Sequence, residues 1–173
     1  MNRFAFFLCL CVCLNSCKSK KGVVTKRTRS TRTVSSTEPR FTKHTSKSIS
    51  RIIKNAQSFE GTRYKYGGTT KRGMDCSGLI YTSFLKEDIK MPRTTGALSK
   101  YGNWVDVKEL QEGDLVFFAT RKNSRKVNHV GIVTNSRPGY VEFIHSTTSR
   151  GVITSNLSER YWYLAYVQAR RVL

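Results

Sequence analysis

Acidic residues are scarce in this chain of 173 residues, where 11 Asp and Glu stand against 31 Lys and Arg and give a formal net charge of +20. Such an excess of positive charge favours anionic partners. Long apolar runs are also missing, since the longest extends only from Phe4 to Leu14. A membrane-spanning helix needs about 20 apolar residues, so this run is too short to form one.

The apolar run near the start follows Arg3 and precedes the small residue Ser16, which is the order found in secretory signal peptides. We therefore predict a signal peptide over residues 1–16. The sequence LNSC that ends at Cys17 resembles a bacterial lipobox, in which cleavage before the cysteine is followed by lipidation of its thiol. The alternative is an ordinary signal peptide followed by a chance cysteine.

Apolar residues are nearly absent from residues 18–50, which contain ten Lys or Arg and a single acid, Glu38. Such a segment buries too little surface to offset its ordering entropy, so we predict a lipidated, basic, disordered tether over residues 17–47. Its charge would contact anionic lipid headgroups or cell-wall polymers, or would only keep a linker solvated. Nucleic acid is not expected as a partner, because an export signal precedes the tether and no DNA- or RNA-reading motif follows it.

The remaining residues, 48–173, form the predicted domain. A first helical face consists of Ile49, Ile52, Ile53, Ala56 and Phe59. A second one follows Cys76, with Asp75 as a candidate N-cap, and consists of Leu79, Ile80, Phe84 and Leu85. Strand patterns come later, at residues 114–119, 129–134, 141–146 and 163–169. Helices followed by a run of strands predict an α+β domain with an antiparallel sheet.

Cysteine is rare in the domain, since the other four cysteines of the chain lie between residues 9 and 17. Cys76 therefore has no partner there for an internal disulfide. Unpaired N–H groups in the first turn of a helix lower a thiol pKa and could also hold an oxyanion. Cys76 is thus a candidate nucleophile, and the alternative is a small buried side chain.

Histidine is also rare, with only His129 and His145 in the domain. A nucleophilic thiol needs a base and a group that orients the base. A five-residue hairpin loop over residues 135–139 would place the two histidines directly opposite each other on one face of a sheet. His129 would then accept the Cys76 proton while His145 fixes its tautomer. A zinc site with these three ligands is the alternative, but no close Cys-x-x-Cys or His-x-x-x-His spacing supports it.

Six short motifs follow one another along the domain: YKYGG at 64–68, DCSGL at 75–79, MPRTT at 91–95, GDLVFF at 113–118, HVGI at 129–132 and FIH at 143–145. In this order they resemble the NlpC/p-sixty family of bacterial cell-wall cysteine peptidases, over about residues 49–173. The resemblance implies a papain-like α+β fold, in which N-terminal helices, including the nucleophile helix, pack on a central antiparallel sheet.

The resemblance also implies residue roles: catalysis by Cys76, His129 and His145, and substrate contacts by Tyr66, Asp75 and Ser77. Tyr66 would lie beside the thiol, and Asp75 would bind a substrate ammonium; an aromatic packing residue and a simple helix cap are the respective alternatives. A glutamine typical of the family is missing from residues 96–100. Neither a metal nor a cofactor is implied.

The implied substrates are the stem peptides of peptidoglycan, cut between D-glutamate and diaminopimelate within a stem or between D-alanine and diaminopimelate across a crosslink. The alternatives are a non-catalytic wall-binding lipoprotein and a thiol acyltransferase or amidase on the same fold. With a lipid on Cys17 and a basic tether, the protein is expected in the cell envelope, membrane-anchored and facing the periplasm, with the outer membrane favoured over the inner one.

Overall fold

Residues 38–173 are described by a computed structural model, with side chains from Thr45 onwards, and belong to one compact unit. The predicted signal peptide, Cys17 and the tether up to residue 37 lie outside the described residues. Helix α1 spans Glu38–Gln57, so it begins well before the boundary expected near Ser48. The sequence predicts disorder over residues 38–47, whereas the backbone there is helical. A helix extends at lower cost than it nucleates once one buried turn has formed.

The other elements follow in chain order. The helices are α2 (Cys76–Leu85), α3 (Thr95–Leu98), α4 (Arg160–Ala165) and a 3-10 turn at Val107–Glu109. The strands are β1 (Thr69–Thr70), β2 (Gly73–Met74), β3 (Asn103–Val105), β4 (Leu115–Phe118), β5 (His129–Arg137), β6 (Tyr140–Thr147), β7 (Gly151–Asn156) and β8 (Tyr166–Arg171). The last six form one sheet in the order β3-β8-β4-β5-β6-β7, with antiparallel pairing throughout. Helices packed on an antiparallel sheet confirm the predicted α+β class.

The two predicted helical faces are buried. Ile52 and Ala56 of α1 have no exposed surface, and neither do Leu79, Ile80 and Phe84 of α2. Ile49 is only partly buried, and 41% of Leu85 is exposed at the end of α2. No helix in the part of the chain that the structure describes is both long and apolar enough to cross a membrane.

Alternation along β4 divides the core into two layers. Leu115 and Phe117 face α1 and α2, whereas Val116 and Phe118 face α4 and its buried Trp162. Each face of the sheet is therefore covered by helices, which explains why β4 is buried along its whole length.

The prediction of a strand from residue 163 is wrong for its first three residues. They belong to α4, which buries Trp162 and Ala165 and leaves Tyr163 and Leu164 largely exposed. The run YWYLAYV is almost entirely apolar, so its periodicity cannot distinguish a short helix from a strand. The short edge strand β3 and strand β7 were not predicted at all.

Candidate active site

The hairpin of β5 and β6 carries both domain histidines, in a register that differs from the predicted one. Arg137 pairs with Tyr140, so the loop has two residues. An irregularity between Val133 and Asn135 shifts the register by one residue, and this shift returns the two histidines to the same face of the sheet. His145 consequently lies opposite Gly131 rather than opposite His129. The prediction of direct opposition is therefore wrong. The prediction of a shared face is confirmed, because residues two apart on a strand point the same way.

The two imidazoles form a hydrogen bond despite this diagonal placement. Nε2 of His129 lies 2.9 Å from Nδ1 of His145. On its other side, Nε2 of His145 lies 3.0 Å from Oγ of Ser155 in β7. His145 has no exposed surface and Ser155 is almost as deeply buried. Nδ1 of His129 is then the only nitrogen of that ring left to accept another proton.

Trp162 of α4 packs against both histidines. Its ring stacks on His129 with centroids 5.5 Å apart and meets His145 edge-on at 4.6 Å. Burial lowers the pKa of His129 to about 4. Burial, followed by the nearby charges of His129 and Arg150, lowers the pKa of His145 to about 3. Both rings are therefore neutral at physiological pH.

The start of α2 is held by Asp75, as the sequence predicts. Its carboxylate caps the helix by accepting from the Gly78 amide at 2.6 Å and also accepts from the Gly67 amide at 2.7 Å. Arg93 donates to both oxygens, at 3.1 and 3.0 Å, and to the Ser77 hydroxyl at 2.9 Å. Burial opposes ionisation, but the bonds from Arg93 and Gly78 outweigh it and lower the pKa of Asp75.

These contacts bear on two predicted substrate contacts. Asp75 and Ser77 are both buried, and both are engaged with Arg93. Arg93 already supplies the positive charge that a substrate ammonium would bring to Asp75. The N-cap alternative is thus realised, while a substrate contact by either residue stays a prediction.

Cys76 is the first residue of α2, and its thiol lies 3.6 Å from the Thr95 hydroxyl at the start of α3. Burial raises its pKa, and hydrogen bonds from Thr95 and from the backbone of Val130 and Ser77 offset this only in part. The expected lowering of the thiol pKa is therefore wrong for the free protein. Desolvation of the sulfur exceeds the stabilisation that the helix start provides.

Close backbone packing brings the loop of residues 64–68 against α2. A Cβ atom at Gly78 would collide with the carbonyl oxygen of Gly68, which itself accepts from the Asp75 amide at 3.1 Å. Gly78 thus has to be glycine because the loop backbone passes over the helix at this position.

A cleft of about 550 Å³ opens over the thiol and is lined by Cys76, His129, Tyr64, Tyr66 and Trp162, among others. Tyr66 is 90% exposed, which excludes the packing role considered for it and leaves its ring free at the cleft. Tyr64 is half-buried, and burial followed by the negative charges of Cys76 and Asp75 raises its pKa.

Sequence reasoning missed several residues that surround the predicted three. Tyr64 and Thr95 lie within motifs that the sequence does single out, but their roles depend on contacts from distant parts of the chain. Trp162 and Ser155 lie in segments without a recognisable signal. Among residues 45–173, whose side chains are described, no group of three or more His, Cys, Asp or Glu side chains is arranged to hold a metal ion.

Residues 61–171 match the model of the NlpC/P60 family. The chain belongs to the NlpC/P60 family. It is 43% identical over 114 residues to the "Probable endopeptidase NlpC homolog" of Haemophilus influenzae, covering 65% of this chain and 57% of that protein. It is 39% identical over 125 residues to the "Murein DD-endopeptidase MepS/Murein LD-carboxypeptidase" of Escherichia coli, covering 72% and 63%. The match thus spans only part of the length of these two relatives.

Solved NlpC/P60 structures have the same fold. A family protein from Bacillus cereus superposes with a TM-score of 0.65 at 33% identity, covering 72% of this chain and 40% of that one. A lipoprotein-like member from Staphylococcus aureus gives 0.63 at 32% identity, covering 73% and 42%. The papain-like α+β fold implied by the sequence motifs is thereby confirmed for this NlpC/P60 domain.

Proposed function

We propose that this NlpC/P60 protein is a peptidoglycan endopeptidase that hydrolyses an amide bond of the stem peptide by a thiol mechanism. The observation that carries the proposal is that His129, which lines the same cleft as Cys76, is hydrogen-bonded to the buried His145. Relatives named as a murein endopeptidase and as a "Probable peptidoglycan endopeptidase LytE" of Bacillus subtilis support the substrate class.

Cys76 and His129 start as a neutral pair, because burial raises the pKa of the thiol and lowers that of the imidazole. As substrate displaces water, Nδ1 of His129 takes the thiol proton and the sulfur attacks the carbonyl carbon. N–H groups in the first turn of α2 stabilise the oxyanion. His129 then protonates the leaving nitrogen as the C–N bond breaks. Nδ1 of His129 then deprotonates a water molecule, which hydrolyses the thioester. The proton returns from His129 to the sulfur as the acyl group leaves.

The charge of the cleft suits an acidic peptide. Arg121 and Arg150 both line it, and neither guanidinium group forms an ion pair or a hydrogen bond among residues 45–173. Stem peptides carry free carboxylates at glutamate, diaminopimelate and terminal D-alanine. A guanidinium binds a carboxylate through two parallel hydrogen bonds, so either arginine can hold such a group near the thiol.

Attachment to the envelope is the second part of the proposal. The lipobox-like sequence before Cys17 and the basic segment after it support a lipid anchor that keeps the domain near the wall, with the outer membrane favoured. Labelling with a radioactive fatty acid tests this, since Cys17→Ala should abolish incorporation. A wild-type level of label in that variant would overturn the proposal that the lipid is attached to Cys17.

Intact crosslinked peptidoglycan incubated with the full chain tests the activity, with mass analysis of the released fragments. New ends at D-glutamate and diaminopimelate, or at D-alanine and diaminopimelate, would identify the bond. Cys76→Ala should lower the rate by a factor of about a thousand or more.

The matched control is Ser83→Ala, which changes a buried side chain of the same helix outside the cleft and should retain the rate. Turnover by Cys76→Ala at the wild-type rate would overturn the thiol mechanism. Binding without any cleavage would favour the non-catalytic alternative, and transfer of the acyl group to an added amine in place of water would favour the acyltransferase.

A further inference from the structure

Ser155 ends the chain of hydrogen bonds that begins at the catalytic histidine. It lies on β7, where it pairs with Phe143 of β6, and its Oγ is 3.0 Å from Nε2 of His145. Only 6% of Ser155 is exposed, and His145 is completely buried. Water therefore has little access to either end of this bond, and the serine hydroxyl is the partner that the protein itself supplies.

The chain of bonds can run in two directions, and only one of them permits catalysis. In the first, His129 donates from Nε2 to Nδ1 of His145, which donates from Nε2 to Ser155. Nδ1 of His129 is then unprotonated and can accept the thiol proton. In the second, Ser155 donates to His145, His145 donates from Nδ1 to His129, and the proton of His129 resides on Nδ1. That tautomer cannot accept a proton from Cys76.

We propose that Ser155 is a positioning residue that accepts the Nε2 proton of His145 and thereby keeps His129 in the tautomer that can take the Cys76 proton. The proposal rests on the thiol mechanism proposed above and not on which bond is cut.

Of the groups around His145, Ser155 is the one that contacts Nε2. From β5 it faces His129, from the turn between β6 and β7 it senses the charge of Arg150, and from α4 it meets the apolar ring of Trp162. Both titratable or charged neighbours disfavour an imidazolium, and no carboxylate contacts the ring among the residues with described side chains. A neutral His145 must place its single proton on one nitrogen, and Ser155 contacts the nitrogen on which the productive tautomer carries it.

Two measurements that need no substrate test the proposal. Nitrogen-15 NMR of histidine-labelled full chain reports which ring nitrogens carry protons, and the rate of Cys76 alkylation by iodoacetamide across pH reports how well His129 assists ionisation of the thiol. In the wild type we expect protons on Nε2 of both histidines.

Ser155→Ala should give a mixture of His145 tautomers and slow alkylation at neutral pH by roughly tenfold, the factor that one buried hydrogen bond corresponds to. Its rate profile should move to higher pH, because the thiol then ionises with less assistance. Ser155→Thr keeps the hydroxyl and should restore both readouts, and Ser83→Ala, another buried serine, should change neither.

A proton on Nδ1 of His145 in the wild type would overturn the proposal. Wild-type alkylation rates and an unchanged pH profile in Ser155→Ala would also overturn it. So would a Ser155→Thr variant as slow as Ser155→Ala, because the hydroxyl would then be irrelevant and the loss would come from altered packing. Failure to cleave peptidoglycan leaves both readouts unaffected and would bear only on the proposed function.

Discussion

Nε2 of His129 and Nδ1 of His145 are 2.9 Å apart although the two residues are not cross-strand partners. The residue directly opposite His145 is Gly131, which has no side chain to separate the rings. A Cβ atom at Gly131 would lie 2.7 Å from Cδ2 of Phe143 and 3.3 Å from Cβ of His145. The diagonal contact thus depends on a glycine two residues after the base.

Gly131→Ala should separate the imidazoles and lower both activity and stability. Overpacking of this kind costs about 1–3 kcal/mol, measurable by chemical denaturation. Because the closest conflict involves the Phe143 ring, adding Phe143→Leu should relieve part of it. The double variant would then lose less free energy of unfolding than the sum of the two single variants. Additive losses together with full activity of Gly131→Ala would contradict this explanation.

Gly78→Ala should displace α2 from the loop that carries Tyr66, because the added methyl group collides with the Gly68 carbonyl. We expect a loss of about 1–3 kcal/mol in stability and a larger proportional loss of activity, since Cys76 lies on the same helix. Gly96→Ala is the matched control, because a Cβ there meets no atom within 4 Å. Equal stability of the two variants would show that the close approach is not required.

Stability should decrease with falling pH through the two histidines. Burial lowers their pKa values from 6.5 to about 4 and about 3, so the unfolded chain takes up protons near pH 6.5 that the folded chain does not. The free energy of unfolding therefore falls as the pH decreases below about 6.5, and the full contribution is present above it. Thermal unfolding between about pH 7 and pH 4.5 measures the slope.

His145→Gln removes one of the two groups and should flatten that slope, whatever its effect on stability at neutral pH. A slope identical to that of the wild type would show that His145 is not responsible for it.

Removal of a positive charge from the cleft should weaken substrate binding. Arg121→Ala and Arg150→Ala are each expected to raise KM by roughly tenfold, the loss that corresponds to one hydrogen bond to a charged group. Arg125→Ala changes an exposed arginine of the same loop outside the cleft and should leave KM unchanged. Identical KM values for all three variants would show that the cleft arginines do not contact the substrate.

The hydrophobic pattern was sufficient for helices α1 and α2 and for four of the six strands of the sheet, β4, β5, β6 and most of β8. Ile52 and Ala56 of α1 recur with a period that only a helix can bury on one side, and so do Leu79, Ile80 and Phe84 of α2. Asp75 is a residue type that caps a helix through its own side chain. Local periodicity failed in the run around Trp162, where nearly every side chain is apolar. The prediction of the register of β5 and β6 was wrong for another reason. A two-residue turn with a bulge and a five-residue loop place the same residues on the same face, so the face pattern in the sequence does not distinguish them.

By itself, the sequence determined the residue types that can perform the chemistry, their order along the chain and the class of fold, because these depend on composition and on short-range periodicity. Only the tertiary structure decided that Arg93 neutralises Asp75, that burial raises the pKa of Cys76, and that Ser155 and Trp162 complete the surroundings of the histidines. These contacts join residues far apart in the chain, and desolvation depends on everything packed around a group. Neither has a counterpart in local sequence.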